Sequence, residues 1–264
     1  MANVTKIQGP FWTRHLDKCS ILLFLLLCEL LPRAGGLLQT FVAPPSLVLK
    51  TLAELFATGG MTKHMALSLY RATIGFVAAA AVGIPLGFLL GGGFRTFERL
   101  VNPLLLFLGQ VNPFSLLPLF VLLFGIGELS KGVMIFWVCL GPILFSTVNG
   151  VKSIDPLLIK SARATGANLT TLFSKVVLPA ASPGIFHGLK IGAGTAFFML
   201  IAAEMIGASS GLGWLIWNAQ VNFQIPRLFA ATVVISLLGL AINALFEVLE
   251  AKLTGWKQHS IDQG

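Results

Sequence analysis

Charged residues are scarce in this sequence. Only 11% of its 264 residues are Asp, Glu, Lys or Arg, whereas 56% are hydrophobic. Soluble domains carry roughly 25% charged residues, so the composition excludes an ordinary soluble protein. Short alternating apolar segments of the kind found in a transmembrane barrel are also lacking. The sequence therefore predicts an all-α, polytopic membrane protein.

Signatures of catalysis and of metal binding are missing as well. The chain has no GxxxxGK[ST] phosphate loop, no HExxH, no GxSxG and no paired carboxylates in a plausible pocket. Its three cysteines, Cys19, Cys28 and Cys139, lie in apolar stretches without CxxC or Cys/His spacing, and its four histidines are isolated. We therefore expect no catalytic residue, no metal site and no cofactor within this chain.

The net charge, in contrast, is strongly positive at +8. In a soluble protein such a charge suggests nucleic acid, but in a membrane protein Lys and Arg concentrate in cytoplasmic loops. With the N-terminus inside, twelve of the 18 Lys and Arg residues fall in cytoplasmic segments and six fall outside. We expect both termini in the cytoplasm, lipid as the surroundings of the chain, and no nucleic-acid partner.

Six apolar segments satisfy the length rule for membrane-spanning helices. They cover residues 17–40, 65–92, 100–125, 131–151, 183–206 and 226–250. Basic residues before the short run 21–27 also give the first segment a likeness to a signal peptide, although an uncleaved helix is the preferred interpretation. We expect a single transmembrane domain over residues 1–264, with a membrane core at 17–251 and a cytoplasmic loop at 152–182.

Small residues recur at every fourth position in two of these spans, where they let helix backbones approach closely. The pattern predicts a tight bundle. The residues concerned are Gly75, Ala79, Gly83, Gly87 and Gly91 in the second span, and Gly184, Gly188, Gly192 and Ala196 in the fifth.

The cytoplasmic loop contains the signals of two short helices. Asp155, with a proline directly after it, is a helix start, and Gly166 is a helix end. Asn168 predicts the start of a second helix, about 169–178, which Pro179 would end. A helix–turn–helix of this kind can occupy a groove on a partner protein, and the spacing alone also fits an ordinary cytoplasmic loop.

This segment resembles the EAA loop found in permease subunits of type I ATP-driven (ABC) importers. That loop has the pattern EAA, three residues, Gly, nine residues, Ile-x-Leu-Pro, and Gly166, Val176, Leu178 and Pro179 match it in register. From about residue 40 onward the chain is similar to the nitrate/sulfonate/taurine/bicarbonate branch of that family. The other matching marks are Pro44-Pro45-Ser46, Leu117-Pro118-Leu119, Phe124-Gly125-Ile126-Gly127-Glu128, Gly150-Val151-Lys152-Ser153-Ile154-Asp155-Pro156, Ala203-Glu204-Met205-Ile206-Gly207-Ala208-Ser209 and Gly211-Leu212-Gly213.

The resemblance implies a permease subunit of a bacterial inner-membrane importer. Such a subunit forms the pathway for a small polar solute, for example a sulfonate, taurine or nitrate, which a periplasmic or lipid-anchored binding protein delivers. It also implies two copies of a separate ATPase subunit that holds ATP-Mg, and a second permease copy in a homodimer. The implied ATPase-coupling residues are Asp155, Lys160, Ser161, Ala162, Arg163, Gly166, Ala167, Val176, Leu178 and Pro179.

The sequence departs from the family pattern at two places. Lys160 and Ser161 replace the Glu and the first Ala of the EAA motif. Gly109 stands where relatives often carry an Arg, a residue suited to bidentate pairing with an oxoanion. This difference puts a nitrate-like or sulfonate-like solute in question, so a thiamine-precursor-like heterocycle is an alternative. An ion-coupled secondary transporter is the alternative from another class.

Polar residues within the spans are candidates for the translocation pathway. Gln110, Asn112 and Ser115 cluster around Pro113 in the third span. They either line the pathway or satisfy the backbone carbonyls that Pro113 leaves free.

Charged residues near the outer ends of the spans form a second group of candidates. Arg71 and Glu204 are placed to pair across the mouth of the pathway. Glu128 and Lys131 flank the outer end of the third span and are candidates for docking the binding protein by charge complementarity.

Overall fold

The structure is a computed structural model that describes residues 23, 26–33, 41–92 and 95–254. Within these ranges the chain is almost entirely helical and contains no strand, which confirms the all-α prediction. The described residues divide into two compact units, one drawn from 26–61 and 216–233 and the other from 62–215 and 234–254. The helices are α1 (Pro45–Ala57), α2 (Gly60–Gly91), α3 (Arg95–Gly109), α4 (Pro113–Phe124), α5 (Glu128–Lys152), α6 (Pro156–Ala164), α7 (Leu169–Leu172), α8 (Leu178–Gly207), α9 (Leu212–Val221) and α10 (Ile225–Thr254).

Four helices in the described part of the chain are long and apolar enough to cross a membrane: Gly60–Gly91, Glu128–Lys152, Leu169–Gly207 and Ile225–Lys252. They correspond to the second, fourth, fifth and sixth predicted spans. Most of the first predicted span, 17–40, lies outside the described residues, although residues 26–33 are helical.

The prediction of one continuous third span over 100–125 is wrong. The chain forms α3 and the shorter apolar helix α4, with a break at residues 110–112. Pro113 disfavours the helical conformation for the residue before it, and Asn112 is extended, with φ −65° and ψ 119°. The Asn112 Oδ1 atom accepts a hydrogen bond from Phe114 N at 2.9 Å, so Asn112 caps a new helix instead of continuing the old one.

The larger unit is built around α5, which packs against the small-residue faces of α2 and α8. A Cβ atom added to Gly87 of α2 would lie 2.5 Å from Thr147 Cβ, and one added to Gly188 of α8 would lie 2.7 Å from Ser146 Cβ. Contacts this close require glycine and confirm the predicted tight packing. One buried cluster in this region comprises Ala72, Ala79, Ile135, Cys139, Ile143, Ala196 and Leu200.

The smaller unit has its own core around α1. Pro45 occupies the first turn of this helix, where its missing N–H costs nothing, and Gly59 follows its end with φ +69°. Val48 packs with Ala43 and Ala230 to form the buried centre of the cluster.

Candidate functional site

The predicted coupling segment folds as two helices joined by a glycine turn. Asp155 Oδ1 accepts a hydrogen bond from Leu157 N at 2.8 Å and thereby starts α6. Gly166 ends this helix with φ +82°, a conformation that favours glycine, and Ala167 N bonds back to Ala162 O at 3.1 Å. The structure therefore confirms the predicted start, turn and end of the first helix.

The second helix of the segment starts as predicted but ends elsewhere. Asn168 Oδ1 accepts from Thr171 N at 2.8 Å and caps α7. The prediction that Pro179 ends this helix is wrong, because α7 passes through a π-helical stretch, Phe173–Val177, directly into α8. Leu178 N bonds to Phe173 O across the wide turn, so Pro179, which has no N–H, follows the point where the hydrogen-bond register changes.

The second helix of the coupling segment and the long helix α8 form one continuous helical run. The helical run Leu169–Gly207 contains 39 residues, which at the α-helical rise corresponds to about 58 Å. Val176, Leu178 and Pro179 lie in its first turns. The segment is therefore joined, without an intervening loop, to a helix that is long and apolar enough to cross a bilayer.

The surface of the coupling segment is open and mixes charge with large apolar side chains. No residue of α6 is buried, and Lys160, Ser161 and Arg163 are exposed. Leu169 has an exposed fraction of 79%. Exposed apolar side chains of this size on a polar segment are typical of a protein-binding surface.

The polar residues of the third span gather at the break between α3 and α4. Gln110, Asn112 and Ser115 are all exposed there. The Asn112 side chain caps α4, as described above, and that bond supports a local structural role for this residue. These three residues lie at a broken helix, a position that also fits the prediction that they line the translocation pathway. That role stays a prediction.

A mostly apolar cavity of about 300 Å³ lies beside the same break. Gly109, Val111 and Pro113 form one wall, and α5 and Thr195 of α8 complete it. None of its lining residues is charged. The α5 residues that contribute are Trp137, Val138, Leu140, Gly141, Pro142, Leu144 and Phe145.

At the opposite end of α8 from the coupling segment, the structure brings Arg71 and Glu204 together. Arg71 Nη1 lies 2.7 Å from Glu204 Oε1, and the Glu204 side chain is fully buried. Arg71 also binds Glu128, with its Nε atom 2.5 Å from Glu128 Oε2, and Lys131 Nζ lies 3.3 Å from Glu128 Oε1. The predicted pairing of Arg71 with Glu204 is therefore observed, whereas the pathway role of the pair stays a prediction.

Sequence reasoning missed two hydrogen-bond partners of this ion pair and a ring contact beside it. Ser68 Oγ donates to Glu204 Oε2 at 2.8 Å, and Ser210 O accepts from Arg71 Nη1 at 2.6 Å. His64 packs on Trp214 with ring centroids 5.3 Å apart. Two sequence signals could have indicated these contacts. His64, Ser68 and Arg71 lie within two turns of one helix, and the Gly211-Leu212-Gly213 sequence carries two glycines that lie close to Glu204.

No group of three or more His, Cys, Asp and Glu side chains that could hold a metal ion is found among the described residues.

Comparisons with known proteins place the chain among transport proteins. A model of the family described as "Binding-protein-dependent transport system inner membrane component" matches residues 83–255. A probable ABC transporter permease protein of Brucella abortus (strain 2308) is 35% identical over 213 residues, covering 81% of this chain and 85% of the relative. The taurine transport system permease protein of Escherichia coli (strain K12) is 33% identical over 221 residues, covering 82% and 80%.

A solved structure has a similar fold. The inward-facing methionine ABC transporter MetNI contains a chain that superposes with a TM-score of 0.61 at 22% sequence identity, covering 75% of this chain and 96% of that chain. At this level of sequence identity the similarity shows a shared fold and nothing beyond it.

Proposed function

The chain belongs to the family of binding-protein-dependent transport system inner membrane components, as a multi-pass ABC transporter permease with the type I importer fold, and on that premise we propose that it forms half of the pathway of an ATP-driven importer. The other half is a second copy of the chain. Two separate ATPase subunits hold ATP-Mg and supply the energy. A binding protein delivers the solute on the outer side of a bacterial inner membrane.

The observation that carries this proposal is the coupling segment. Its helix–turn–helix is exposed, presents Leu157, Leu158 and Leu169 beside basic residues, and continues without interruption into α8. These features suit the groove of a partner that pushes and pulls on the segment, because a continuous helix transmits displacement better than a flexible loop. An ATPase that closes on ATP and reopens after hydrolysis is such a partner.

The orientation of the chain follows the charge bias of its loops. We place both termini and the coupling segment in the cytoplasm, since this arrangement puts the larger share of Lys and Arg inside. The Arg71–Glu204 end of the bundle is then the outer end, where the binding protein would dock.

The translocation pathway in this proposal runs past the break at residues 110–112. Broken helices near the middle of a bilayer commonly contribute solute sites in transporters. The cavity beside the break has no charged lining residue, so it would contact the carbon part of a solute, while Gln110 and the other polar residues of the break would contact its polar part.

We propose small sulfonates, with taurine as the first candidate, for the transported solute. The support is the taurine permease relative, together with an apolar cavity that suits the short carbon chain of a sulfonate. Gly109 offers no positive charge to pair with an anion. This feature favours an uncharged heterocycle, which is the alternative solute.

Reconstitution tests the proposal. The tagged chain is purified from its host with whatever subunits remain bound, placed in proteoliposomes with the cognate binding protein, and supplied with radiolabelled taurine. We expect an ATPase to copurify and uptake to require hydrolysable ATP. Uptake driven by an ion gradient, with no ATPase present, would refute the importer proposal. ATP-driven uptake of another solute would refute only the sulfonate assignment.

A further inference from the structure

The loop between α8 and α9, taken here with the first two residues of α9 as the loop 208–213, is bound to the bundle by three consecutive backbone amides. Gly211 N donates to His64 Nδ1 at 3.0 Å, Leu212 N donates to Ser68 Oγ at 2.9 Å, and Gly213 N donates to Glu204 Oε2 at 2.9 Å. Each amide therefore has a different side chain as its acceptor. Two of the three acceptors come from the first turns of α2, and the third comes from the end of α8.

The loop also lies so close to Glu204 that no side chain fits between them. A Cβ atom added to Gly211 would be 2.3 Å from Glu204 Cδ, and one added to Gly213 would be 2.3 Å from Ile201 O. Gly211 in addition has φ +124°, a conformation that other residues rarely adopt. The loop is thus fitted to the carboxylate by contact as well as by hydrogen bonds.

The charges in this region make the arrangement costly to open. The side chains of Arg71 and Glu204 are exposed by 6% and 0%, so separating them would leave two charges in a poorly solvated place. Removing one partner of a buried ion pair is strongly destabilising, because it leaves the other charge buried and uncompensated. We refer to Ser68, Arg71, Glu204 and the loop 208–213 as the outer clamp.

Helix α4, close by, is held to the bundle by apolar contacts, not by charged ones. It is 12 residues long, and its buried residue Leu117 packs with Met134 of α5 and with Met199 and Ala203 of α8. The break at 110–112 precedes it, and Gly125, with φ +79°, follows it with no atom within 4 Å of an added Cβ. Gly127, at the start of α5, has the same open surroundings. Both ends of α4 can therefore change direction without breaking a buried contact of the kind found in the clamp.

We propose that the outer clamp stays closed throughout the transport cycle, and that α4 is the element that opens and closes the outer side of the pathway. This inference rests on the proposed importer function. The clamp fixes the loop 208–213 to both α2 and α8, so these parts move as one body when the coupling segment is displaced. Helix α4 then changes its angle relative to that body by rotation at residues 110–112 and 125–127.

Hydrogen exchange measured on the reconstituted wild-type complex tests this inference. Peptides covering 205–216, 108–114 and 124–128 are followed by mass spectrometry in two states, without nucleotide and trapped with ATP and vanadate. We expect exchange over 205–216 to agree within about twofold between the states, and exchange at the two ends of α4 to differ by about tenfold or more. A state-dependent change over 205–216, or no change at the ends of α4, would overturn the inference.

A pair of variants identifies which carboxylate partner of Arg71, Glu204 or Glu128, holds the loop. Glu204→Gln and Glu128→Gln make the same chemical change on two partners of Arg71, but the Glu128 side chain is 65% exposed and Glu204 is buried. Exchange over 205–216 should rise about tenfold or more in Glu204→Gln and change less than about twofold in Glu128→Gln. Equal exchange in the two variants would overturn the clamp assignment.

These outcomes are distinguishable from failure of the importer proposal. If wild-type proteoliposomes show no ATP-driven uptake, the proposed function is wrong. If uptake is normal while the 205–216 peptides respond to ATP, the function stands and the clamp inference is wrong.

Discussion

Gly150 of α5 and Gly184 of α8 touch backbone to backbone. A Cβ atom added to Gly184 would lie 2.7 Å from Gly150 Cα and 2.9 Å from Ser146 O. Because backbone atoms cannot move aside as a flexible side chain can, this contact sets the distance between the two helices. It also lies in the half of α8 next to the coupling segment, where the proposed displacement of that segment would first reach the bundle.

Replacement of this glycine should loosen the contact between α5 and α8. We expect Gly184→Ala to destabilise the protein by about 1–3 kcal/mol through overpacking. Gly194→Ala, on the same helix, has no atom within 4 Å of the added Cβ and should be neutral or stabilising by up to about 1 kcal/mol. Thermal unfolding in detergent measures both. Equal midpoints would show that the close approach does not matter for stability.

Filling the cavity beside the helix break should change solute selection. Gly141 of α5 lines the cavity, and an added Cβ there has no atom within 4 Å, so Gly141→Leu places a bulky side chain in the cavity. We expect uptake of a longer alkanesulfonate to fall about tenfold or more relative to taurine, since the loss of one fitting methylene alone is worth about 10–200-fold.

Gly132→Leu is the matched control for that experiment. Gly132 lies on the same helix, has equally open surroundings and does not line the cavity. Uptake of both solutes should be retained in this variant. If Gly141→Leu and Gly132→Leu behave alike, the cavity does not contact the solute.

Loss of the cap at Asp155 should weaken the coupling segment. Asp155→Ala removes the acceptor for Leu157 N and is expected to cost α6 about 0.5–2 kcal/mol. The amount of ATPase that copurifies with the chain should fall severalfold. Asp155→Ser, which keeps an oxygen at the capping position, should restore it. A similar loss in both variants would mean that the carboxylate charge, rather than the cap, is what the ATPase requires.

Local signals explain why part of the coupling segment could be predicted from the sequence. Asp155 and Asn168 cap helices through atoms two or three residues away, and Gly166 needs no distant contact to adopt a positive φ. Pro179 misled the prediction because proline ends a helix in most settings but is tolerated in a first turn. The wide turn before it, Phe173–Val177, had no recognised signal in the sequence.

The break in the third span did have a local signal, the pair Asn112-Pro113. The prediction gave more weight to the apolar run, which is long enough for one membrane span. An apolar pattern, however, does not distinguish one long helix from two short ones. The pairing of Arg71 with Glu204 could be anticipated because both lie at the same end of their spans. The capture of the loop by Ser68 could not, since Leu212 N and Ser68 Oγ are separated by 144 residues of sequence.

The most direct test of the account is the coupling ratio, the number of solute molecules imported per ATP hydrolysed, measured for Gly166→Leu. Gly166 has φ +82° and open surroundings, so leucine strains only the backbone of the turn, by about 1–2 kcal/mol. Gly166→Asn, which tolerates this conformation, is the matched control. We predict that the ratio and the amount of bound ATPase fall sharply in Gly166→Leu and stay near the wild-type values in Gly166→Asn, with normal membrane insertion of both. An unchanged ratio in Gly166→Leu would contradict the assignment of this turn as the place where an ATPase drives the permease.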